Sequence, residues 1–276
     1  MKKIKIAITG CLGKMGRELI KASNKDKQIE IVSLTESKKY NKKINKLSVQ
    51  QNSLEAFKKA DLIIDFTTPY STMQILKIIS KMNKKIIIGT TGFTEKQEKY
   101  INQLSKKISI LKSGNMSLGV NLLLYITQLV SQSLPKEFLL RVLDQHHKHK
   151  KIFPSGTAIM LGEALAKGKS TILKKLMGKK ITLKKNVFNI VREKKWYYLP
   201  KNNKINFLST KSGDTIGNHS VILTNKKETL NLIHEAHDRS LYSEGALKAA
   251  KWLIDKKPGL YSMRNVLDLN NLIHGQ

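Results

Sequence analysis

Over its first hundred residues the chain switches repeatedly between two hydrophobic patterns. Runs rich in Ile and Val recur at "IKIAITG" (4–10), "IEIVSL" (29–34), "LIIDFT" (62–67), "KIIIGTT" (85–91) and "ISIL" (108–111). Several are apolar at successive positions, as strands covered on both faces are. Between them lie stretches of helical character such as "MGRELIKAS" (15–23) and "TEKQEKYINQLSKK" (94–107). The second opens with Thr94 and Gln97 at capping-box spacing. Strand and helix in alternation predict a doubly wound α/β domain with a parallel sheet.

Beyond about residue 117 the pattern changes. "MSLGVNLLLYITQLVSQSLP" (116–135) predicts a helix with Ser117 as N-cap and Pro135 past its end. An apolar run, "FLLRVLDQHHKHK" (138–150), ends in charge, and "TAIMLGEALAKG" (157–168) predicts a helix closed by Gly168. Strand patterns follow at 187–191, 205–210, 219–224 and 229–236, after a lysine-rich loop region at 167–185. This part predicts an α+β domain with an antiparallel or mixed sheet. The tail carries a helix stopped before Pro258 and is expected to return to the first domain. No internal repeat is seen.

Composition changes the picture in one respect. The formal net charge is +31 over 276 residues, which raises the prospect of a polyanion partner. Arginine, the better bidentate reader of phosphates and bases, occurs only at 17, 141, 192, 239 and 264. The lysines are spread along the whole chain, so a solvated coat is expected and no specific nucleic-acid site. One cysteine, Cys11, allows no internal disulfide and suits a reducing compartment. The apolar run at 118–130 is too short for a membrane span and contains Asn121 and Gln128. A soluble, cytoplasmic protein is expected.

The first strand runs into "GCLGKMGREL", with Gly10, Gly13 and Gly16 at the turn into a helix. Glycine permits the positive φ or close backbone approach such a turn needs, and the helix start offers N–H groups to an anion. The spacing is G-x-x-G-x-x-G, so the strand–turn–helix context carries more weight than the motif. Glu36 ends the second strand, 20 residues past Gly16, where an acid can take ribose hydroxyls; a surface glutamate is the plain alternative. Ser37, Lys38 and Lys39 follow and suit a 2′-phosphate, so NADH and NADPH are both expected cofactors. "GTTGF" (89–93) and "SGNMS" (113–117) end further strands at the same edge.

Residues 144–158 read "DQHHKHKKIFPSGTA". Three histidines among lysines, with no cysteine nearby, are poor zinc ligands, and no metal is expected. An anionic substrate explains the stretch better. Adjacent cations form a positive pocket, crowding lowers a lysine's proton affinity, and histidine titrates near neutrality. "PSGT" then supplies a helix start suited to a carboxylate, with the Ser155 or Thr157 hydroxyl.

"GCLGKMGR", "IDFTTP", "GTTGF", "HHKHK", "PSGTA" and "VLDLNNL" stand in an order and spacing that resembles the 4-hydroxy-tetrahydrodipicolinate reductase family over essentially the whole chain. The resemblance implies a Rossmann-like domain at 1–117 and 239–276, and a substrate and tetramerisation domain at 118–238, with hinges near Ser117 and Arg239. It implies an NAD(P)H-dependent oxidoreductase of diaminopimelate and lysine biosynthesis, acting on a small dicarboxylate as a homotetramer. Gly10, Cys11, Leu12, Gly13, Lys14 and Met15 would cradle the pyrophosphate and Glu36 the ribose. Gly89, Thr90, Thr91, Ser113, Gly114, Asn115 and Met116 would line the nicotinamide. His146 would donate or accept a proton, Lys150 would donate one, and His147, Gly156 and Thr157 would hold the substrate. Gln145, Ile152, Phe153 and Ser37 depart from the family pattern. Ile152 and Phe153 bear on the pocket's edge, and Ser37 weakens any strong NADPH preference. Two other readings remain: a nicotinamide dehydrogenase for a different acid, and a basic nucleic-acid-binding protein on an enzyme-like fold.

Overall fold

A computed structural model describes residues 3–151, 153–171, 205–269 and 271. The strand expected at 187–191 and Ile152 lie outside them. The chain separates into two compact units, Met1–Asn121 with Arg239–Gln276, and Leu122–Asp238.

The first unit is built on strands β1 (Ile4–Thr9), β2 (Ile29–Glu36), β3 (Lys43–Ile44), β4 (Leu47–Gln51), β5 (Leu62–Asp65), β6 (Lys85–Ile88) and β7 (Ser109–Lys112). A later strand, Gly259–Tyr261, joins β7 in parallel and is β12 in chain order. Their order across the sheet is β12-β7-β6-β5-β1-β2-β4-β3, parallel except for the terminal β3–β4 hairpin. That hairpin was not legible in the apolar pattern; its turn uses Asn45 and Lys46 at positive φ. The order reverses between β1 and β5, and beyond the carboxyl ends of the strands there lies the crevice where such sheets take ligands.

The apolar residues of β1, β5 and β6 supply both faces of the sheet. Ile6, Ile8, Leu62, Ile64 and Ile87 pack on one side, Ala7, Ile63, Ile86 and Ile88 on the other. Each buried Ile or Leu side chain among them contributes roughly 1.5–3 kcal/mol by leaving water. Helix α1 (Lys14–Lys25) covers the first side beside α7 (Ser240–Leu253), the helix of the returning tail. Gly245 lets α7 close on the Met116 carbonyl, since a Cβ there would stand 1.9 Å from that oxygen. Helix α4 (Glu95–Ser105) carries the expected capping box: the Gln97 N–H donates to Thr94 Oγ1 and the Thr94 N–H to Gln97 Oε1.

Among its described residues the second unit has a four-stranded mixed sheet. Strands β8 (Leu139–His146), β9 (Ile205–Lys211), β10 (Asn218–Thr224) and β11 (Thr229–Glu235) take the order β11-β10-β8-β9, with only the β8–β9 pair parallel. Inward residues of the sheet, among them Leu140, Val142, Val221 and Leu223, form one core with Leu123 of α5 (Leu118–Ser133) and Leu161 and Leu165 of α6 (Gly156–Gly168). The Val120 N–H donates to Ser117 Oγ at the start of α5, and Ser155 caps α6.

Candidate active site

At the end of β1 the chain turns on Gly10, whose φ is +62°. Gly16 is fixed by close approach: a Cβ there would lie 2.2 Å from Gly10 O and 2.6 Å from Cys11 Cα. The turn uses up its own donors. The Cys11 N–H goes to Thr35 O, the Leu12 N–H to Glu36 Oε1 at 2.8 Å and the Gly13 N–H to Gly10 O. Gly13 then caps α1 without a side-chain acceptor, so the helix's first N–H groups, beginning at Lys14 and Met15, are left for an anion. Of residues 10–15, where a cradle is expected, Cys11, Leu12 and Gly13 thus have their N–H groups engaged within the first unit, and Lys14 and Met15 open α1. Cys11 is a buried packing group; burial, and after it the Glu36 charge, pushes its thiol up to about 11.

Beneath the turn lies a feature that sequence reasoning missed. Asp65, fully buried at the end of β5, is bonded by the hydroxyls of Thr9 (2.8 Å), Thr67 (2.6 Å), Thr72 (2.5 Å) and Thr90 (3.1 Å). Burial raises its proton affinity and the threonine hydroxyls oppose that rise. The cluster ties together the ends of β1, β5 and β6. An acid closing an apolar strand and followed by two threonines, "IIDFTT", was the signal.

The segments expected to line a nicotinamide are mixed. Gly89 lies flat on Phe66, where a Cβ would meet the ring at 2.1–2.5 Å. Thr90 is buried, its hydroxyl committed to Asp65 and to the Thr67 N–H. Thr91 and Gly114 are exposed. Ser113 and Asn115 knit their own loop: Ser113 Oγ donates to Asn115 O, and Asn115 Oδ1 accepts from the Ser117 N–H. The Met116 side chain belongs to the core.

In the second unit the histidine–lysine stretch divides by position. His146 is the last residue of β8 and buried; His147 and Lys150 are half-buried; Lys148, His149 and Lys151 are exposed. Backbone bonds from Ser212 N–H to His146 O, Lys148 N–H to Gly213 O and Lys150 N–H to His147 O hold the stretch after the strand ends. Asp144, also buried, joins two parts: its Oδ2 accepts the Ser155 N–H at 2.8 Å and stands 3.6 Å from His146 Nδ1. Ser155 Oγ accepts the Ala158 N–H and lies 3.2 Å from Nε2 of His219, a second buried histidine that the sequence reading passed over. Gly156 is exposed, with open space where a Cβ would stand, and Thr157 is half-buried beside it. The arrangement can transfer a proton at His146 and hold a carboxylate at the start of α6. Among the described residues no group of three or more His, Cys, Asp or Glu side chains is placed to hold a metal ion.

Comparison with known proteins agrees in both halves. Residues 4–116 match the family model "Dihydrodipicolinate reductase, N-terminus" and residues 119–267 match "Dihydrodipicolinate reductase, C-terminus". The chain is 53% identical over 268 residues to the 4-hydroxy-tetrahydrodipicolinate reductase of Pelagibacter ubique, covering 97% of this chain and 99% of that one. It is 38% identical over 278 residues to the enzyme of that name from Buchnera aphidicola, covering 96% and 97%. A solved structure, dipicolinate-bound dihydrodipicolinate reductase from Paenisporosarcina sp. TG-14, shares the fold with a TM-score of 0.75 at 20% identity, over 95% of this chain and 99% of that one.

Proposed function

The chain belongs to the dihydrodipicolinate reductase family, and we propose how its residues perform that family's reaction. The protein is an oxidoreductase that reduces 4-hydroxy-tetrahydrodipicolinate to tetrahydrodipicolinate with NADH or NADPH, in diaminopimelate and lysine biosynthesis. The nucleotide belongs to residues 1–117 with 239–276, and the substrate to 118–238. Once bound, the nucleotide supplies a hydride to C4 of the dehydrated ring.

The chain's own work lies in binding, orientation and proton delivery. The start of α1 takes the pyrophosphate, and Glu36 orients the ribose through the same carboxylate that holds the Leu12 N–H. The observation that carries the reading is the Asp144 bridge. It puts a buried imidazole at the end of β8 and the open start of α6 on one framework. A carboxylate of the substrate sits at Gly156 and Thr157 with His147, while His146 and Lys150 face the ring. Lys150 or His146 protonates the enamine carbon left by reduction, and the surrounding cations stabilise the anionic character that develops.

The substrate is a small dicarboxylate; dipicolinate, which the Paenisporosarcina enzyme binds, has that form. We also propose a homotetramer assembled through the second unit, supported by Ile233, 61% exposed on β11, which ends the sheet among the described residues. The cytoplasm is the proposed site of action, supported by the protonated lone thiol. No described helix is long and apolar enough to cross a membrane.

The test is turnover with freshly made 4-hydroxy-tetrahydrodipicolinate, run with NADH and NADPH in parallel. Lys150→Ala is expected to lower kcat by about two orders of magnitude or more, with nucleotide affinity unchanged. Near-normal turnover would remove Lys150 from the mechanism.

A further inference from the structure

Next to the proposed proton-transfer group lies a histidine to which that mechanism gives no part. His219 is 2% exposed, near the start of β10. Pairing places it directly opposite Asp144 of β8 on one side and His234 of β11 on the other. It occupies the inward side of the strand, in series with Val221 and Leu223 of the core. An apolar residue there would avoid the desolvation of an imidazole, so the ring calls for a use.

Its contacts supply one. Ser155 Oγ already accepts the Ala158 N–H as cap of α6, so its own proton is free to point at His219 Nε2, 3.2 Å away. The bond runs from Ser155 to Nε2 or from Nε2–H to Ser155 Oγ as the ring's tautomer decides, and either direction ties the ring to the cap of α6. On its other flank the ring meets His146 edge-on, with centroids 5.2 Å apart and planes at 78°. Gly217 leaves room for both rings: a Cβ there would lie 3.3 Å from His146 Nε2 and 3.3 Å from His219 Cε1.

We propose that His219 is a positioning residue, a neutral ring that fastens the capped start of α6 to the flank of His146, so that proton donor and carboxylate-binding helix keep one geometry. The inference rests on the reading of His146 and α6 given above. Burial is the chief reason the ring stays neutral. Burial first, then His146, His234 and Lys150, disfavour a proton on it, and Asp144 alone favours one. A neutral His219 shares its hydrogen bond with the Ser155 hydroxyl and adds no positive charge beside His146. A charged ring would set a cation against the flank of His146.

Two replacements separate the roles. His219→Gln keeps an acceptor within reach of Ser155; His219→Leu keeps bulk and loses it. Steady-state kinetics between about pH 6 and pH 9, with nucleotide affinity measured by fluorescence, give the readout. His219→Leu is expected to raise the dicarboxylate KM about tenfold, displace the ionisation seen in kcat and leave nucleotide affinity unchanged. His219→Gln is expected to restore KM to within about threefold of wild type while keeping an altered pH profile. The proposal is overturned if His219→Leu matches wild type in KM and profile, or if its nucleotide affinity falls in step with KM. Should His219→Leu not fold, His219→Gln decides alone, an unchanged profile counting against the proposal. His146→Ala distinguishes the two levels. Full turnover there would sink the underlying reading and this inference with it. Lost turnover beside an indifferent His219→Leu would sink this inference alone.

Discussion

Replacing Gly16 by Ala tests whether the first turn works through close backbone approach. The new Cβ would stand 2.2 Å from Gly10 O, 2.6 Å from Cys11 Cα and 2.9 Å from Cys11 C. All three are backbone atoms, so no side chain can swing away, and the turn or α1 must move by roughly 1 Å to restore van der Waals distances. Alanine gains about 1 kcal/mol over glycine in helix propensity. Overpacking of this kind costs about 1–3 kcal/mol, and a clash with backbone belongs at the upper end. The net loss is then about 1–2 kcal/mol, or a fall in Tm of roughly 2–8 °C at about 2–4 °C per kcal/mol. Binding suffers more, because the same shift displaces the Lys14 and Met15 N–H groups; an increase of about tenfold or more in nucleotide KM is expected, about 1.4 kcal/mol for each factor of ten. Gly13→Ala is the control. Its Cβ would meet only Gly10 O, at 3.2 Å, at a φ of −71° that alanine adopts freely. Thermal melts and NADH titrations of both variants make the measurement. A Gly16→Ala protein as stable and as tight for NADH as wild type, or no worse than Gly13→Ala, would refute the packing argument.

Gly156→Ala should behave in the opposite way: with open space at its Cβ position, Tm is expected within about 1 °C of wild type, while KM for the dicarboxylate rises and KM for the nucleotide does not. A melt and two kinetic titrations check it, and an unchanged substrate KM would take Gly156 out of the carboxylate site. Folding stability should also depend on His219, whose pKa falls from 6.5 to about 4 through burial. A lowered folded-state value means that the unfolded chain binds more protons between those limits. Stability is therefore full above pH 6.5 and declines as pH falls toward 4, by a few kcal/mol at about 1.4 kcal/mol per pH unit. Urea melts across that range should show the slope and His219→Gln should lessen it; equal slopes in the two proteins would refute it.

Much of this was legible beforehand because the relevant physics is local. Adjacent Ile and Leu in β5 and β6 mark strands buried on both faces, and Thr94 with Gln97 marks a helix start. The glycine turn and the start of α6 were found the same way, from residues a few positions apart. The β3–β4 hairpin escaped because its pattern is short and polar, and it gains its place by pairing with β2. A sequence does not show that the N–H groups of Cys11, Leu12 and Gly13 meet Thr35, Glu36 and Gly10.

By itself, then, the sequence determined the class of fold and many of its longer elements, because hydrophobic period, capping and turn geometry act over a few residues. Tertiary structure decided which distant polar groups meet. Asp65 finds Thr9 and Thr90 only when β1, β5 and β6 lie side by side, and Asp144, Ser155 and His219 converge only through the β8–β10 register and the packing of α6. A buried polar group must find its partner wherever the chain folds it, and that search has no period along the sequence.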